Sequence, residues 1–447
     1  MRRPALLAWA LALASVHGIL LWLYYWPEPK LLMGDERMYA DAALALSAGQ
    51  DAHLTLLYPP LYPNFLAGIL RLTGPSLWGI QLVQTALLGW VAFVTRDLCR
   101  RLTGRQRVGD LAAAGLLVYP PLVAFGHYLW PEILHLAFFV SALWILAARR
   151  SRPVWSALLG GVLGLALLTK SLLGPLVPLL LAPLAFSGRP AARAARVALA
   201  AAALAATVLP TMVSNLERAG SFTIANSGWF NLWLGLNDVS RKVLADPVPA
   251  AEYNRFQRSA PTFAERNRIV REQIRERVRE RGVLPILGRQ LERQWFRLFD
   301  KDSFLTDQLP VGATPHRVFY RRAPLALAQA IRAVSWLLYG ALLVGAVWGV
   351  AVMDPGLRRR LWLAFAFLAY NLAIFLLLHV KSRYRVQLMP FLFGFAALGA
   401  DWCTRWVECR RAGAGPAPAR PSAGAAVGAA AGAALLLFLA FGRPLLG

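Results

Sequence analysis

Long apolar segments recur along most of this chain, and they limit its fold more than any other feature. A helical segment of about 17 to 25 residues spans the hydrocarbon core of a bilayer. Because unpaired main-chain groups are costly in lipid, helices are the expected spanning structure. Eleven such segments are predicted, at about residues 5–26, 77–95, 109–126, 131–148, 154–170, 172–187, 195–213, 325–352, 361–379, 385–402 and 424–441. The sequence therefore predicts an all-α, multi-pass membrane protein.

Positive charge is unevenly distributed between these segments. The net charge of +25 would suggest nucleic-acid binding in a soluble protein, but here arginines cluster in short loops between apolar segments. If the N-terminus is cytoplasmic, loops after even-numbered segments should hold these clusters. They do, at Arg96 to Arg107, Arg149 to Arg152, Arg189 to Arg196, Arg358 to Arg360 and Arg405 to Arg411. The arginine clusters therefore indicate which loops are cytoplasmic. Because the chain also lacks an RNA-binding motif and zinc-finger spacing, we expect no nucleic-acid partner.

This topology divides the chain into a membrane module and an attached helix. Residues 1–411 form the predicted transmembrane module, and its two large extracytoplasmic loops are 27–76 and 215–324. Residues 412–423, rich in Ala, Pro and Gly, are predicted to be a flexible linker. Residues 424–447 contain a weak, Ala/Gly-rich last transmembrane helix.

Asp35 and Glu36 follow the first apolar segment directly. Carboxylates near hydrocarbon are costly unless they have a role. On a helix, adjacent side chains point about 100° apart, so one of the pair could face a substrate while the other binds the scaffold. The alternative is that both only stabilise the N-terminus of the helix that follows, over residues 37–48.

The same topology places other polar residues at the extracytoplasmic ends of helices. They are Asp35, Glu36, His53, His127, Glu132, Lys170, His379, Lys381, Arg383 and Arg385. Lys170 is interpreted either as a lysine that extends to the interface or as a phosphate-binding cation. Three cations in the short loop Lys381-Ser382-Arg383-Tyr384-Arg385 break the charge rule and indicate an anionic ligand. Together these residues predict an active site built from several helix ends.

Two metal hypotheses arise from these residues. Asp35 or Glu36 together with His53 could hold a divalent ion, and Glu132 with His135 is a weaker candidate pair. The chain lacks a Walker loop, a dinucleotide-binding fingerprint and a Gly-x-Ser-x-Gly elbow. A transferred group is therefore expected to arrive on a membrane-borne donor, and no cofactor beyond a candidate metal ion is predicted.

The second large loop contains a highly charged helical pattern. Val270, Ile274 and Val278 repeat every four residues and so share one helix face. Alternating Arg and Glu residues around them supply neighbouring opposite charges. The pattern favours a solvated supporting helix, and an acceptor-binding face is the alternative.

Several stretches, taken together and in order, resemble the GT-C fold glycosyltransferases, in particular the protein O-mannosyltransferase-like and aminoarabinose transferase-like bacterial branch. These stretches are Gly34-Asp35-Glu36-x-x-Tyr39, Tyr58-Pro59-Pro60-Leu61-Tyr62-Pro63, Thr169-Lys170, Asn226-Ser227-Gly228 with Asn231-Leu232-Trp233-x-Gly235, and Arg383-Tyr384-Arg385-x-x-x-x-Pro390. The resemblance covers most of residues 1–400, although Ser171 stands where relatives often carry Gly.

The resemblance implies a polyisoprenyl-phosphate sugar donor and assigns roles to residues. Asp35 resembles the catalytic base or metal contact, and Glu36 resembles its partner. Lys170 and the segment from Lys381 through Arg383, Tyr384 and Arg385 resemble donor-phosphate contacts. The further substrate-pocket candidates are Tyr39, Tyr58, Pro59, Glu132 and Asn231.

The chemistry of these residue types agrees with that role. An acceptor hydroxyl needs a general base, and a phosphate leaving group needs cations. We therefore predict an inverting glycosyltransferase in a bacterial inner membrane, with its active site on the extracytoplasmic side. Its acceptor is a lipid, glycan or protein hydroxyl. A lipid-linked sugar flippase or other transporter is the alternative, and a catalytically inactive scaffold is a third possibility.

Overall fold

The chain is almost entirely helical. The computed structural model describes residues 3–26, 28–149, 153–186, 189–237, 247–311, 319–320, 323–412 and 418–442. Within these ranges there are α-helices and short 3₁₀ helices but no strands, which confirms an all-α membrane protein. The α-helices are α1 (Arg3–Tyr25), α2 (Asp35–Ser47), α3 (Leu54–Leu57), α4 (Leu61–Thr73), α5 (Leu77–Thr103), α6 (Gln106–Val118), α7 (Pro120–Ala124), α8 (Glu132–Arg149), α9 (Pro153–Thr169), α10 (Val177–Leu181), α11 (Pro190–Ala219), α12 (Gly228–Asn237), α13 (Pro247–Arg258), α14 (Phe263–Arg281), α15 (Val283–Phe299), α16 (Phe304–Gln308), α17 (Leu325–Ala351), α18 (Pro355–Arg360), α19 (Trp362–Ile374), α20 (Met389–Ala412) and α21 (Ala423–Phe441).

Within the described residues, each of the eleven predicted apolar segments contains helix, but the segments differ in regularity. Among the described residues, five helices are long and apolar enough to cross a membrane: α5, α11, α17, α21 and the helical stretch Ser382–Arg411. The third predicted segment is divided into α6 and α7 because Pro120 and Pro121 cannot continue the hydrogen-bonding pattern. The sixth is α10 between two 3₁₀ turns that each contain a proline. The number of eleven crossings stays a prediction.

Small residues allow the long helices to pack closely. Gly349 of α17 lies against the main chain of α20 at Phe395, and a Cβ at this position would collide with that carbonyl group. Such contacts are typical of membrane helices, whose association depends on van der Waals packing. Close packing of α17 on α20 fixes the start of α20, which follows directly on the predicted cationic loop.

Ion pairs distinguish the two ends of the bundle. At one end Arg105 binds Asp401 at 3.2 Å, and the indole of Trp144 donates to Asp97 at 2.8 Å. Both contacts join helices that the arginine clusters predict to end on the same side. Glu132 begins α8 at the other end, and it binds Lys170 just after α9 at 3.2 Å. The candidate site residues therefore lie at the end opposite the arginine-rich loops.

The two large loops form helical layers over the site end. In residues 27–76, α2 packs on α4, whose buried face includes Tyr62, Leu66 and Ile69. In residues 215–324, α14 buries Val270 and Ile274 against α12, as the four-residue repeat predicts. Part of the predicted linker, residues 413–417, lies outside the described residues. After it, α21 packs on α17 and α15.

We predict that Gly349→Val destabilises the protein, because the added side chain forces α17 away from α20. Overpacking of this kind costs about 1–3 kcal/mol. The midpoint of thermal unfolding in detergent should fall. Gly161→Val is the matched control, since no atom lies within 4 Å of a Cβ added there. Equal unfolding midpoints for the two variants would contradict this packing.

Candidate active site

The Asp35-Glu36 pair begins α2, and its two side chains point in different directions. Gly34 precedes the helix with φ of 51°, a conformation that glycine adopts at little cost. The Asp35 side chain is 26% exposed, whereas that of Glu36 is fully buried. Of these two carboxylates, only that of Asp35 is therefore accessible to a substrate.

Glu36 is held by three donors inside the protein. It accepts hydrogen bonds from Lys30 Nζ at 2.6 Å, from the main-chain N–H of Met33 at 3.0 Å and from that of Leu129 at 3.2 Å. The Lys30 ammonium also lies 4.8 Å from the centre of the Tyr128 ring. A fully buried ion pair persists only when its remaining hydrogen bonds are satisfied, as they are here. Glu36 thus ties α2 to the loop that leads into α8.

Asp35 binds the other half of the predicted site. Arg383 Nη2 donates to Asp35 Oδ2 at 2.9 Å, although 348 residues separate the two in sequence. The Arg383 guanidinium also lies 3.7 Å from Glu132 Oε1 and 4.0 Å from the centre of the Trp130 ring. Arg383 is therefore the central residue of the cluster.

Lys170 completes this cluster. Its ammonium binds Glu132 Oε1 at 3.2 Å and lies 5.1 Å from the centre of the Tyr384 ring. Glu132 is thus shared between Lys170 and Arg383. We call Asp35, Glu132, Lys170 and Arg383 the charged cluster. It joins the ends of four elements: α2, α8, α9 and the 3₁₀ helix Ser382–Leu388.

Lys381 extends the positive side of the charged cluster. Burial lowers the pKa of Lys381; the charge of Asp35 opposes this shift and that of Arg383 adds to it, so that the pKa stays below its ordinary value. Burial raises the pKa of Asp35, but the charges of Arg383 and Lys381 outweigh it and hold that pKa below its ordinary value. In this state Asp35 is ionised and its basicity is low.

Three buried polar atoms of the site have no hydrogen-bond partner among the described residues. They are Glu132 Oε2, Arg383 Nε and Trp130 Nε1. Buried polar atoms are normally paired, and an exception at a functional site points to a missing ligand. Glu132 Oε2 and the Trp130 N–H are therefore candidates to bind polar groups of a substrate, whereas Arg383 Nε already lies 3.7 Å from Glu132 Oε1.

Two tyrosines lie beside Asp35. The rings of Tyr39 and Tyr58 are 6.4 Å apart, and Tyr39 packs edge-on against Tyr62 at 5.0 Å. Burial, followed by the charge of Asp35, raises the pKa of both Tyr39 and Tyr58. Their hydroxyls therefore stay neutral. Pro59 follows Tyr58 directly, at the turn before α4.

The other predicted site residues lie apart from these contacts. Arg385 is buried, and its guanidinium donates to the main-chain carbonyls of Asp300 and Asp302, the latter at 3.3 Å. It also lies 4.4 Å from the Tyr339 ring. These contacts hold Arg385 against the main chain, and its role as a donor-phosphate contact stays a prediction. Asn231 contacts the segment before Lys381 through the main chain. Its main-chain carbonyl accepts a hydrogen bond from the main-chain N–H of His379 at 3.3 Å.

The donor set does not fit the metal hypothesis built on Asp35, Glu36 and His53. Glu36 is already bound by Lys30 and two N–H groups, and the His53 ring stacks on Phe263 with centroids 5.5 Å apart. Within the described part of the chain, no three His, Cys, Asp or Glu side chains are grouped as a metal ion requires. His135, the weaker candidate, uses Nδ1 in a contact with the Ala166 carbonyl at 3.1 Å.

Sequence reasoning missed three residues that shape the site. Lys30 gave no signal beyond a lone lysine among prolines, six residues before Glu36. Trp130 lies two residues before Glu132 and stacks on Arg383, and Phe304 of α16 packs edge-on against Trp130 at 5.4 Å. Aromatic residues are common at membrane interfaces, so their sequence position alone did not distinguish them.

Residues 58–214 match the family model of the dolichyl-phosphate-mannose-protein mannosyltransferases, a GT-C type family. The match spans 157 of the 447 residues and contains Tyr58, Glu132 and Lys170. It confirms the resemblance to GT-C fold glycosyltransferases and supports a membrane glycosyltransferase that uses a lipid-linked donor. No curated protein matches the chain.

We predict that Lys30→Met lowers stability by about 3–5 kcal/mol, because it leaves the Glu36 carboxylate buried without its cation. Thermal unfolding in detergent measures the effect. Lys30→Met combined with Glu36→Gln should recover part of the loss, since the second change removes the unpaired charge. Arg37→Gln, which breaks an exposed pair with Asp41, is the control and should leave the midpoint nearly unchanged. A Lys30→Met protein as stable as the control would refute this role.

Proposed function

We propose that this protein transfers a sugar from a polyisoprenyl-phosphate donor to an acceptor hydroxyl at the extracytoplasmic face of a bacterial inner membrane. The observation that carries the proposal is the contact between Asp35 and Arg383 within the charged cluster. It holds the Asp35 carboxylate against Arg383, which shares Glu132 with Lys170, and the charge of Lys381 also acts on Asp35. A base for the acceptor and cations for the leaving phosphate are what such a transfer requires.

Donor binding begins the proposed mechanism. The donor phosphate binds Arg383, Lys170 and Lys381. Lys170 follows α9, and the other two lie at the start of the 3₁₀ helix Ser382–Leu388 and just before it. Arg383 Nε makes no hydrogen bond within the described residues, although it lies 3.7 Å from Glu132 Oε1. Charge-assisted hydrogen bonds from a guanidinium to phosphate are strong. Glu132 Oε2 accepts a hydrogen bond from a sugar hydroxyl, and the Trp130 indole N–H donates one.

Phosphate binding then changes the basicity of Asp35. The phosphate charge offsets the positive charge of Arg383 and Lys381, which holds the pKa of Asp35 low in the resting site. The pKa of Asp35 therefore rises once the donor is bound. The carboxylate becomes a competent base only when there is a sugar to transfer.

Transfer is a single displacement. The acceptor hydroxyl gives its proton to Asp35 while its oxygen forms a bond to the anomeric carbon. The bond from that carbon to the phosphate oxygen breaks, and its electron pair leaves with the polyprenyl phosphate. Attack opposite the leaving group inverts the anomeric centre. No step needs a metal ion.

The alternative function is transport of the lipid-linked sugar without transfer. A transporter is expected to place its polar binding groups near the middle of the membrane. The charged cluster lies at helix ends, which favours transfer. Movement of the donor across a liposome membrane without a glycosidic product would support the alternative.

We predict that Asp35→Asn reduces turnover by about 10²–10⁴-fold, since the amide cannot accept the proton. Transfer of radiolabelled sugar from a panel of short polyprenyl-phosphate sugars to a membrane extract measures it, with released polyprenyl phosphate as the second product. Donor binding should persist because Arg383 and Lys170 remain. Asp41→Asn, on the exposed face of α2, is the control. Full transfer by correctly folded Asp35→Asn protein would exclude Asp35 as the base.

We also predict that Arg383→Gln moves the acidic limb of the pH profile of kcat/KM to higher pH. Arg383 lowers the pKa of Asp35, so removing this charge raises that pKa and protonates the base at a higher pH. A neighbouring opposite charge shifts a carboxyl pKa by about 1–3 units. Arg37→Gln removes an exposed charge from α2 and should leave the limb in place. An unchanged limb in the Arg383→Gln residual activity would contradict the coupling.

A further inference from the structure

Three arginines surround a cavity outside the charged cluster. The cavity has a volume of about 320 Å³ and lies where α12, α14 and α15 meet. Arg277 and Arg281 reach it from α14, and Arg289 reaches it from α15. Its volume lies at the lower end of the range for small-ligand pockets.

The chain geometry explains why these arginines converge. Arg277 and Arg281 are four residues apart, so they project from the same face of α14. Gly282 ends α14 with φ of 73°, and Val283 begins α15 at once. This sharp bend brings Arg289, in the second turn of α15, back toward the end of α14.

The charges in this cavity are not neutralised by ion pairs. Within the described ranges none of the three arginines pairs with a carboxylate, whereas Arg268 on the same helix binds Glu272 at 3.5 Å. Burial and the charges of Arg281 and Arg289 lower the pKa of Arg277. The charge of Glu280 opposes this shift but offsets it only in part. In addition, Arg277 Nε is buried and has no hydrogen-bond partner in the described part of the chain. The three positive charges that line this cavity repel one another, and a bound anion would reduce that repulsion.

The walls of the cavity are fixed by hydrogen bonds. The Gln290 amide donates to the Gly235 carbonyl, and the Asn237 amide donates to the Trp233 carbonyl at 2.9 Å. Gly235 itself packs against the main chain of Leu377 and Leu378. These contacts hold Gln290 and Asn237 in the wall of the cavity, and α12 ties the cavity to the segment that leads into Lys381.

We propose that this cavity binds a compact oxyanion, namely a phosphate group carried by a molecule on the same side as the charged cluster. Guanidinium groups bind phosphate through paired N–H donors, and three of them face this cavity. The site is separate from the donor-phosphate contacts and does not depend on transfer activity. The charged helix α14 then has a binding role in addition to its supporting one.

Arginine-specific labelling tests the site directly. Full-length protein in nanodiscs of neutral lipid is treated with phenylglyoxal, with and without inorganic pyrophosphate, and labelling at each arginine is quantified by mass spectrometry. At a concentration about ten times its Kd, pyrophosphate should reduce labelling of Arg277, Arg281 and Arg289 by about tenfold. Arg268, Arg275 and Arg279, on the same helix but outside the cavity, are the internal controls.

Lipid composition and substitution complete the test. If nanodiscs with phosphatidylglycerol protect the three arginines without pyrophosphate, a lipid headgroup is the source of the phosphate; if they do not, the ligand is soluble. The combined Arg277→Gln, Arg281→Gln and Arg289→Gln variant should lose thermal stabilisation by pyrophosphate that the matched Arg268→Gln, Arg275→Gln and Arg279→Gln variant keeps. Labelling that is unchanged, or reduced equally at all six arginines, would overturn the proposal. Because no turnover is measured, this outcome is independent of the proposed transfer.

Discussion

The ion pair between Arg383 and Asp35 holds together the part of this structure that matters for function. It joins two segments 348 residues apart, and through Glu132 and Lys170 it reaches the starts and ends of further helices. Charges that are largely removed from water are stable only when they are paired, because removing one partner leaves the other without compensation. The fold at this end of the bundle therefore depends on the same ion pairs that arrange the charged cluster.

The two carboxylates of the Asp35-Glu36 pair have different roles: Glu36 stabilises the fold, and Asp35 is available for chemistry. Glu36 is satisfied by Lys30 and two main-chain N–H groups, so it fixes α2 with little freedom to do anything else. Asp35 is partly exposed and held by a single guanidinium. A donor phosphate competes for that same guanidinium, so the contact that stabilises the empty site is also the one that a substrate can exchange.

Much of this arrangement could be predicted from the sequence, because bilayer thickness and charge distribution act on long segments. The eleven helical segments and the gathering of Asp35, Glu132, Lys170 and Arg383 at one end follow from those rules. Individual side-chain partners do not. Arg385 lies only two residues after Arg383, yet its guanidinium donates to the main-chain carbonyls of Asp300 and Asp302 instead of contacting Asp35. Lys30 and Trp130 gain their roles only from tertiary contacts, which no local pattern encodes.

A structure with a bound polyprenyl-phosphate sugar analogue tests the central claim most directly. We predict that the phosphate lies against Arg383 and Lys170, that the sugar lies beside Glu132 and Trp130, and that the Asp35–Arg383 distance increases from 2.9 Å. Asp35 should then face the anomeric carbon from the side opposite the phosphate. A phosphate bound elsewhere, with the Asp35–Arg383 pair intact and the sugar out of reach of Asp35, would contradict it.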